Sequence, residues 1–130
     1  MTRRTLTNTA GLRVTLNANA SVSRIDHADV MLNLFRGNAM EGGECNLYLR
    51  RLGGAPATTA LLGPRSPSRM EAGDDGFALR GHWQGLDYRV VLRLAADSAS
   101  WFWHVSIRNR SADTLSVDLI HSQDLGLADY

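Results

Sequence analysis

The sequence predicts an all-β protein, an antiparallel β-sandwich in which residues 1–130 form a single domain. Apolar residues recur at every second position, which is the period of a half-buried strand and not of a helix. The predicted strands follow one another at intervals of about 8–12 residues with short connections, as antiparallel neighbours do. No segment has the pattern of an amphipathic helix, so the long apolar face of one sheet needs a second sheet to cover it.

The first part of the chain predicts a hairpin followed by a loop. Leu12–Leu16 alternates, residues 17–21 form a polar turn, and residues 22–26 supply the partner strand. Residues 30–35 are a third apolar run. Residues 37–44 contain three glycines and two glutamates, and this composition indicates a loop.

The middle of the chain predicts one regular strand and one irregular segment. Asn46–Leu52 alternates again, with Leu47 and Leu49 on one side, and Gly53 ends it. Residues 63–69 contain two prolines, each without a donor for a ladder hydrogen bond. This segment is therefore expected to be a turn or an excursion at a sheet edge.

Residues 77–121 show the clearest alternation and predict a four-stranded antiparallel meander with one apolar face and one wet face. The apolar positions are Phe77, Leu79, Gly81, Trp83, Leu86, Tyr88, Val90, Leu92, Leu94, Trp101, Trp103, Val105, Ile107, Leu115, Val117 and Leu119. The last residues, from Asp118 on, resemble a strand and a turn in the course of a longer protein, so we expect a fragment.

Composition excludes several classes of protein. With 44% hydrophobic and 21% charged residues the chain is too apolar to be disordered. It lacks both an apolar run of about 20 residues and a signal-peptide pattern after Met1. A net charge of +1 gives no reason to expect a nucleic-acid or membrane partner. The lone Cys45 fits a reducing compartment, and we expect a cytoplasmic protein.

Aromatic side chains are the first candidates for a site. Trp83, Trp101 and Trp103 could stack on a sugar ring, but they fall on the apolar side of their strands, which favours core packing. Phe102 lies on the opposite face and is the better surface aromatic.

Histidines and the single thiol are weaker candidates. His27, His82, His104 and His121 show no metal-ligand spacing, so no metal site is expected. His82 and His104 share the polar face and could form a pair if their strands were neighbours. Cys45 is expected to be an ordinary thiol, with Glu41 and Glu44 raising its pKa.

Carboxylates and arginines add no specific motif. Three pairs are close in sequence: Asp26 with Asp29, Asp74 with Asp75, and Asp124 with Asp129. A glycosidase needs two carboxyls about 5–10 Å apart in a cleft, which sequence proximity does not supply, so solvated turn residues are expected. Arg50, Arg51, Arg65 and Arg69 could gather into an anion site or line a domain interface. We therefore assign no catalytic residue, no carbohydrate-binding residue and no cofactor.

The particular residues nevertheless resemble a known family. The segments that carry the resemblance are residues 23–35, 46–51, 62–68, 83–89, 101–105 and 120–128. In this order they are similar to the N-terminal β-domain of the cellobiose phosphorylase and β-1,2-oligoglucan phosphorylase family, which includes the phosphorylase part of cyclic β-1,2-glucan synthases. The resemblance covers nearly the whole chain from about Leu12, and none of its segments is a catalytic motif.

The resemblance implies a fold and a role. The chain would be the first part of a supersandwich like that of galactose mutarotase, from an inverting phosphorylase that converts a β-glucoside and phosphate into α-glucose 1-phosphate. A helical linker and a helical barrel carrying the catalytic Asp would follow Tyr130, so the fragment alone would be inactive. The partners implied are that helical domain and, through open sheet edges, a second copy of the chain.

Two alternatives stay open at this stage. An independent carbohydrate-binding module would need an aromatic platform on a solvent face. A mutarotase-like enzyme would need a His and a carboxylate in one cleft. A pair of Trp or His side chains in a concave exposed pocket would favour these alternatives over a purely structural domain.

Overall fold

A computed structural model describes residues 3–72 and 76–129, which contain twelve β-strands and no helix. The strands are β1 Arg4–Thr7, β2 Leu12–Leu16, β3 Val22–His27, β4 Val30–Met31, β5 Asn46–Leu52, β6 Ala57–Ala60, β7 Arg69–Met70, β8 Phe77–Trp83, β9 Leu86–Leu94, β10 Trp101–Asn109, β11 Ser116–Ser122 and β12 Ala128–Asp129. The predicted all-β class is confirmed. No helix in the described part of the chain is long and apolar enough to cross a membrane.

The strands form three antiparallel sheets. The first sheet has the order β1-β2-β3-β4-β12, the second β10-β9-β8-β7, and the third β11-β5-β6. All neighbouring strands run antiparallel, as the short connections predict.

The predicted N-terminal hairpin is confirmed as β2 and β3, which pair from Leu12 opposite His27 to Leu16 opposite Val22. The third apolar run is a strand only over Val30–Met31. Beyond Met31 the Asn33 side chain makes the hydrogen bond that a neighbouring strand would make, since its Oδ1 accepts the Ile25 N–H at 2.8 Å. A side chain thereby satisfies a buried backbone donor that strand pairing would otherwise serve.

The middle of the chain also agrees with the prediction. β5 has the predicted bounds, with Leu47 and Leu49 buried, and residues 37–44 form a loop. The proline-containing segment leads to β7, a two-residue strand at the edge of the second sheet.

The predicted four-stranded meander is wrong in its last strand. β11 pairs with β5 in the third sheet, from Ser116 opposite Leu52 to Ser122 opposite Asn46. Among the described strands, β10 has only β9 as a neighbour. The chain leaves the second sheet after β10, where Arg110 N–H donates to Gly85 O at 2.8 Å. Alternation indicates which side of a strand is apolar, but it does not select the neighbour.

One hydrophobic core joins the three sheets. Most of its buried side chains come from β2, β3, β5, β8 and β9 and from the residues that follow β6. They include Leu12, Val14, Leu16, Val22, Ile25, Leu47, Leu49, Leu61, Leu62, Phe77, Leu79, Tyr88, Val90 and Leu92. Apolar faces from separate sheets meet here, as in a β-sandwich.

Tyr88 shows how closely the core is packed. A Cβ added to Gly81 would lie 2.1 Å from the Tyr88 hydroxyl, so only glycine leaves room for that ring in the facing strand. The hydroxyl lies 2.5 Å from Ser68 Oγ, which in turn donates to Leu61 O at 2.6 Å. Burial raises the pKa of Tyr88 above its ordinary value.

Candidate functional site

An open groove lies between the two strands that end their sheets, β10 and β11. Its volume is about 610 Å³, which lies within the range of ligand sites. The groove is lined by Leu47, Ala99, Ser100, Trp101, Phe102, Trp103, His104, Val105, Leu119 and His121. We call this feature the edge groove.

The edge groove exists because β11 joins the third sheet and not the second. β10 is therefore paired on one side only, and the apolar side of the strand is incompletely covered. Ile107 is 38% exposed and Leu119 is 46% exposed, although both occupy apolar positions of their strands. This exposed apolar surface makes the edge groove a candidate binding surface.

The tryptophans are divided between core and surface. Trp83, Trp101 and Trp103 are all partly buried and pack against the core, which agrees with the predicted packing role. Trp101 and Trp103 also line the edge groove, which the alternation alone does not indicate. Phe102 is 50% exposed and is the surface aromatic that the alternation predicts.

The Trp103 indole N–H is the one polar group of this groove that is buried without a partner in the described residues. A buried donor left unsatisfied costs about 1–3 kcal/mol. An acceptor brought by another strand or by a ligand would remove that penalty.

The histidines do not form the pair that a shared polar face would allow. His82 on β8 and His104 on β10 are separated by β9, and they lie opposite Asp87 and Val91 of that strand. His82 Nδ1 lies 2.6 Å from Asp87 Oδ1, whose pKa is lowered by this hydrogen bond and by Arg110. His104 instead shares the edge groove with His121.

His104 also lies beside an aromatic ring, with its centroid 6.3 Å from that of Phe102. His27 Nε2 lies 2.9 Å from Ala10 O, so this ring connects the end of β3 to the residues just before β2. Across residues 3–72 and 76–129, no three His, Cys, Asp or Glu side chains are grouped closely enough to hold a metal ion.

Cys45 is buried, and its thiol donates to Gln123 Oε1 at 3.1 Å. Burial is the main cause that raises its pKa to about 12, and the Asp124 charge adds to it. The predicted direction is confirmed, but the cause is different, because Asp124 and not Glu41 or Glu44 supplies the nearby charge. A raised pKa favours the protonated thiol at neutral pH, as expected of an ordinary buried cysteine.

Two of the aspartates are structural and not solvated turn residues, so that expectation is wrong for them. Asp26 lies in β3, is 8% exposed and pairs with Arg24 at 3.2 Å. Asp124 Oδ2 accepts the backbone N–H groups of Leu34 at 2.8 Å and Phe35 at 2.6 Å.

The other aspartates of these pairs have mixed outcomes. Asp29 is exposed in the β3–β4 turn, as expected, whereas Asp129 is exposed but lies in β12 and not in a turn. Asp74 and Asp75 lie outside the described residues.

The arginines considered as an anion site are divided among the sheets. Arg50 Nε donates to Asp118 Oδ2 at 3.0 Å across the β5–β11 pair, and Arg51 donates to Gln84 at 3.1 Å. Arg65 lines a shallow pocket beside the loop 40–43, and Arg69 lies in β7 of the second sheet. Each therefore has its own neighbourhood, and no shared anion site results.

The edge groove can bind but offers little for catalysis. Its lining contains two histidines and no carboxylate, so the acid and base pair of a glycosidase or a mutarotase is not assembled there. Indole and phenyl rings beside apolar side chains line the groove, and such rings suit a packing strand or the apolar face of a sugar.

Comparison with known protein families gives a match. A model described as the SOGP N-terminal domain matches residues 15–130. The comparison with curated proteins finds no match. Because the match spans most of the chain, this protein belongs to the SOGP N-terminal domain family.

Proposed function

We propose that this chain is the non-catalytic N-terminal β-sandwich domain of an inverting β-glucoside phosphorylase. The longer protein would be similar to the β-1,2-oligoglucan and cellobiose phosphorylases. It would use inorganic phosphate to cleave a β-glucosidic bond and release α-glucose 1-phosphate in the cytoplasm. The observation that carries the proposal is the family match over residues 15–130, together with the resemblance of the segments described above.

The edge groove supports a packing role for this domain. The rest of a galactose-mutarotase-like supersandwich, or the helical domain after it, would cover Trp101, Trp103 and Leu119. Such a cover would also supply an acceptor for the buried Trp103 N–H. The open backbone edges of β10 and β11 would otherwise pair with a second copy, so the isolated chain is expected to self-associate.

A phosphorolysis assay tests the proposal. The chain alone and the longer protein are each given β-1,2- or β-1,4-glucooligosaccharides with phosphate, and glucose 1-phosphate is measured. We expect product from the longer protein and none from the chain alone, because the edge groove contains no carboxylate that could act as the general acid. Product from the chain alone would overturn the non-catalytic assignment, and no product from the longer protein would overturn the phosphorylase assignment.

A carbohydrate-binding module is the second candidate function. It is favoured by one observation, namely that Trp101, Trp103, His104 and His121 share an open concave groove. Stacking of a glucose ring on Trp101 would then bind an oligosaccharide without any downstream domain.

Quenching of tryptophan fluorescence by β-glucooligosaccharides separates the two candidates. A module would bind as the isolated chain, and Trp101→Ala would abolish binding, whereas Trp83→Ala outside the groove would serve as the matched control. A packing domain would show no saturable quenching in any of the three proteins. For a packing domain, Trp101→Ala would instead weaken association with the downstream part of the longer protein.

A further inference from the structure

A second pocket lies on the first sheet, and its lining shares no residue with the edge groove. It is a cavity of about 510 Å³ between the β2–β3 turn, residues 17–19, and the loop 36–39, and Arg3 and Ser23 complete its wall. This volume is in the range of pockets that hold small organic ligands. We call it the hairpin pocket.

The hairpin pocket carries an uncompensated positive charge. Arg3 and Arg36 line it, and its lining contains no carboxylate. Two guanidinium groups in one concave site attract an anion, because the low-dielectric walls strengthen their combined field.

Arg36 is positioned by a neighbouring hydroxyl. Its Nη2 donates to Ser23 Oγ at 3.1 Å, and Ser23 is only 1% exposed. A guanidinium has five N–H donors, so one anchoring bond leaves a fork of donors for a ligand. Holding the side chain in advance reduces the conformational entropy that binding would remove.

Asn38, on the same loop as Arg36, supplies a neutral donor. Its Oδ1 accepts the N–H groups of Met40 at 2.8 Å and Glu41 at 3.0 Å, which fixes the orientation of the amide. Within the described residues its Nδ2 has no acceptor, so both hydrogens remain for a ligand. Asn19 Nδ2 donates to Asn38 O at 2.7 Å and ties this loop to the β2–β3 turn.

Close packing keeps the pocket in shape. A Cβ added to Gly37 would lie 2.7 Å from Ser21 Cβ and 2.8 Å from Val22 O, so the loop can approach β3 only with glycine at this position. Asn17 Nδ2 donates to Gly37 O at 2.7 Å and holds the same contact from the turn. The two walls are therefore fixed to each other before any ligand arrives.

We propose that the hairpin pocket binds a phosphate monoester of sugar size. The phosphate group carries nearly two negative charges and three terminal oxygens, which match two guanidinium groups and the Asn38 amide. The pocket is larger than a phosphate ion, so the organic part of the ester occupies the remaining space beside the turn 17–19. This assignment depends on the charge and shape of the pocket and not on the phosphorylase proposal.

Amide-resolved NMR titration of the whole chain tests the assignment with three probes: glucose 6-phosphate, inorganic phosphate and glucose. We expect saturable shifts at Ser23 and Asn38 with glucose 6-phosphate, weaker binding of inorganic phosphate and none of glucose. Arg36→Ala is expected to weaken binding of glucose 6-phosphate by about tenfold or more, because a charge-assisted hydrogen bond is lost. Arg13→Ala, an exposed arginine on β2 outside the pocket, should leave affinity unchanged.

Several outcomes would overturn the assignment. Absence of saturable shifts with glucose 6-phosphate would show that the pocket does not bind a phosphate monoester. Equal affinity for inorganic phosphate would show that the organic part of the ester contributes nothing to binding. Equal losses of affinity in Arg36→Ala and Arg13→Ala would show that general surface charge, and not the pocket, attracts the ligand. If Arg36→Ala does not fold, Arg36→Lys and Arg3→Ala carry the test, since both leave the Asn38 loop intact.

Discussion

Neighbouring strands β9 and β10 have the same length and the same alternation, yet they differ in burial. They pair over nine residues, from Leu94 opposite Trp101 to Leu86 opposite Asn109. In β9 the apolar side chains Val90 and Leu92 are 0% and 1% exposed, whereas Ile107 in β10 is 38% exposed. The difference arises because β9 has a strand on each side and the core over it, while β10 is an edge.

This contrast separates two properties of a strand: which of its sides is apolar, and whether a second layer covers that side. A period of two reports which side of a strand is apolar, and that is correct for both strands. Whether a second layer covers the side depends on residues distant in sequence. We therefore propose the incompletely covered side of β10 as the surface that a further partner would contact.

The largest effect is expected when a buried side chain of β9, the covered strand, is shortened. Leu92→Ala should lower the free energy of unfolding by about 2–5 kcal/mol. The Leu92 side chain is 1% exposed, so its removal leaves a cavity in the core. Urea denaturation at neutral pH measures this change. A loss below about 1 kcal/mol would mean that β9 is not covered as described.

An intermediate effect is expected on the polar side of the same sheet. Glu71 accepts hydrogen bonds from Arg89 and Arg80, which lower its pKa from 4.5 to about 2, with Arg89 as the main cause. The carboxylate therefore stabilises the fold above pH 4.5, and this contribution is lost as the pH falls toward 2. Glu71→Gln should lower stability at neutral pH by about 1 kcal/mol.

The pH dependence makes the Glu71 prediction specific. Curves of unfolding free energy against pH for the natural chain and Glu71→Gln should converge as the pH falls from 4.5 toward 2. Asp97→Asn, at an exposed carboxylate in the β9–β10 turn, is the control and should follow the natural chain. A constant difference at every pH would contradict the ion-pair explanation.

The smallest effect is expected on β10, the incompletely covered strand. Ile107→Ala should change the free energy of unfolding by less than about 1 kcal/mol, because its side chain is already partly in water. The same substitution in the longer protein should have a clearly larger effect if a downstream element covers β10. Equal effects of Leu92→Ala and Ile107→Ala in the isolated chain would remove the contrast between the strands.

Local patterns in the sequence predict the fold class, the β2–β3 hairpin and β5 because alternation and turn residues act over short distances. They do not predict that β11 lies beside β5, because this choice depends on a pairing such as Arg50 with Asp118, 68 positions apart. The edge groove follows from that choice and was missed for the same reason. The hairpin pocket was also missed, since Arg3 and Arg36 share no motif.

Asn33 and Asp124 illustrate a further limit of sequence patterns. Asn33 is 0% exposed, and Asp124 accepts two backbone N–H groups, although both residue types usually mark turns. Their roles depend on backbone donors that only the folded chain places near them.

The pairing of β5 with β11 also affects how the chain is made. The 68 positions between Arg50 and Asp118 correspond to about 3–14 seconds of ribosomal synthesis at typical rates. During that interval β5 has β6 on one side only, and its other backbone edge stays unpaired outside the ribosome. The nascent chain is therefore exposed to chaperones, or to a neighbouring nascent copy, at the edge that the mature fold later covers with β11.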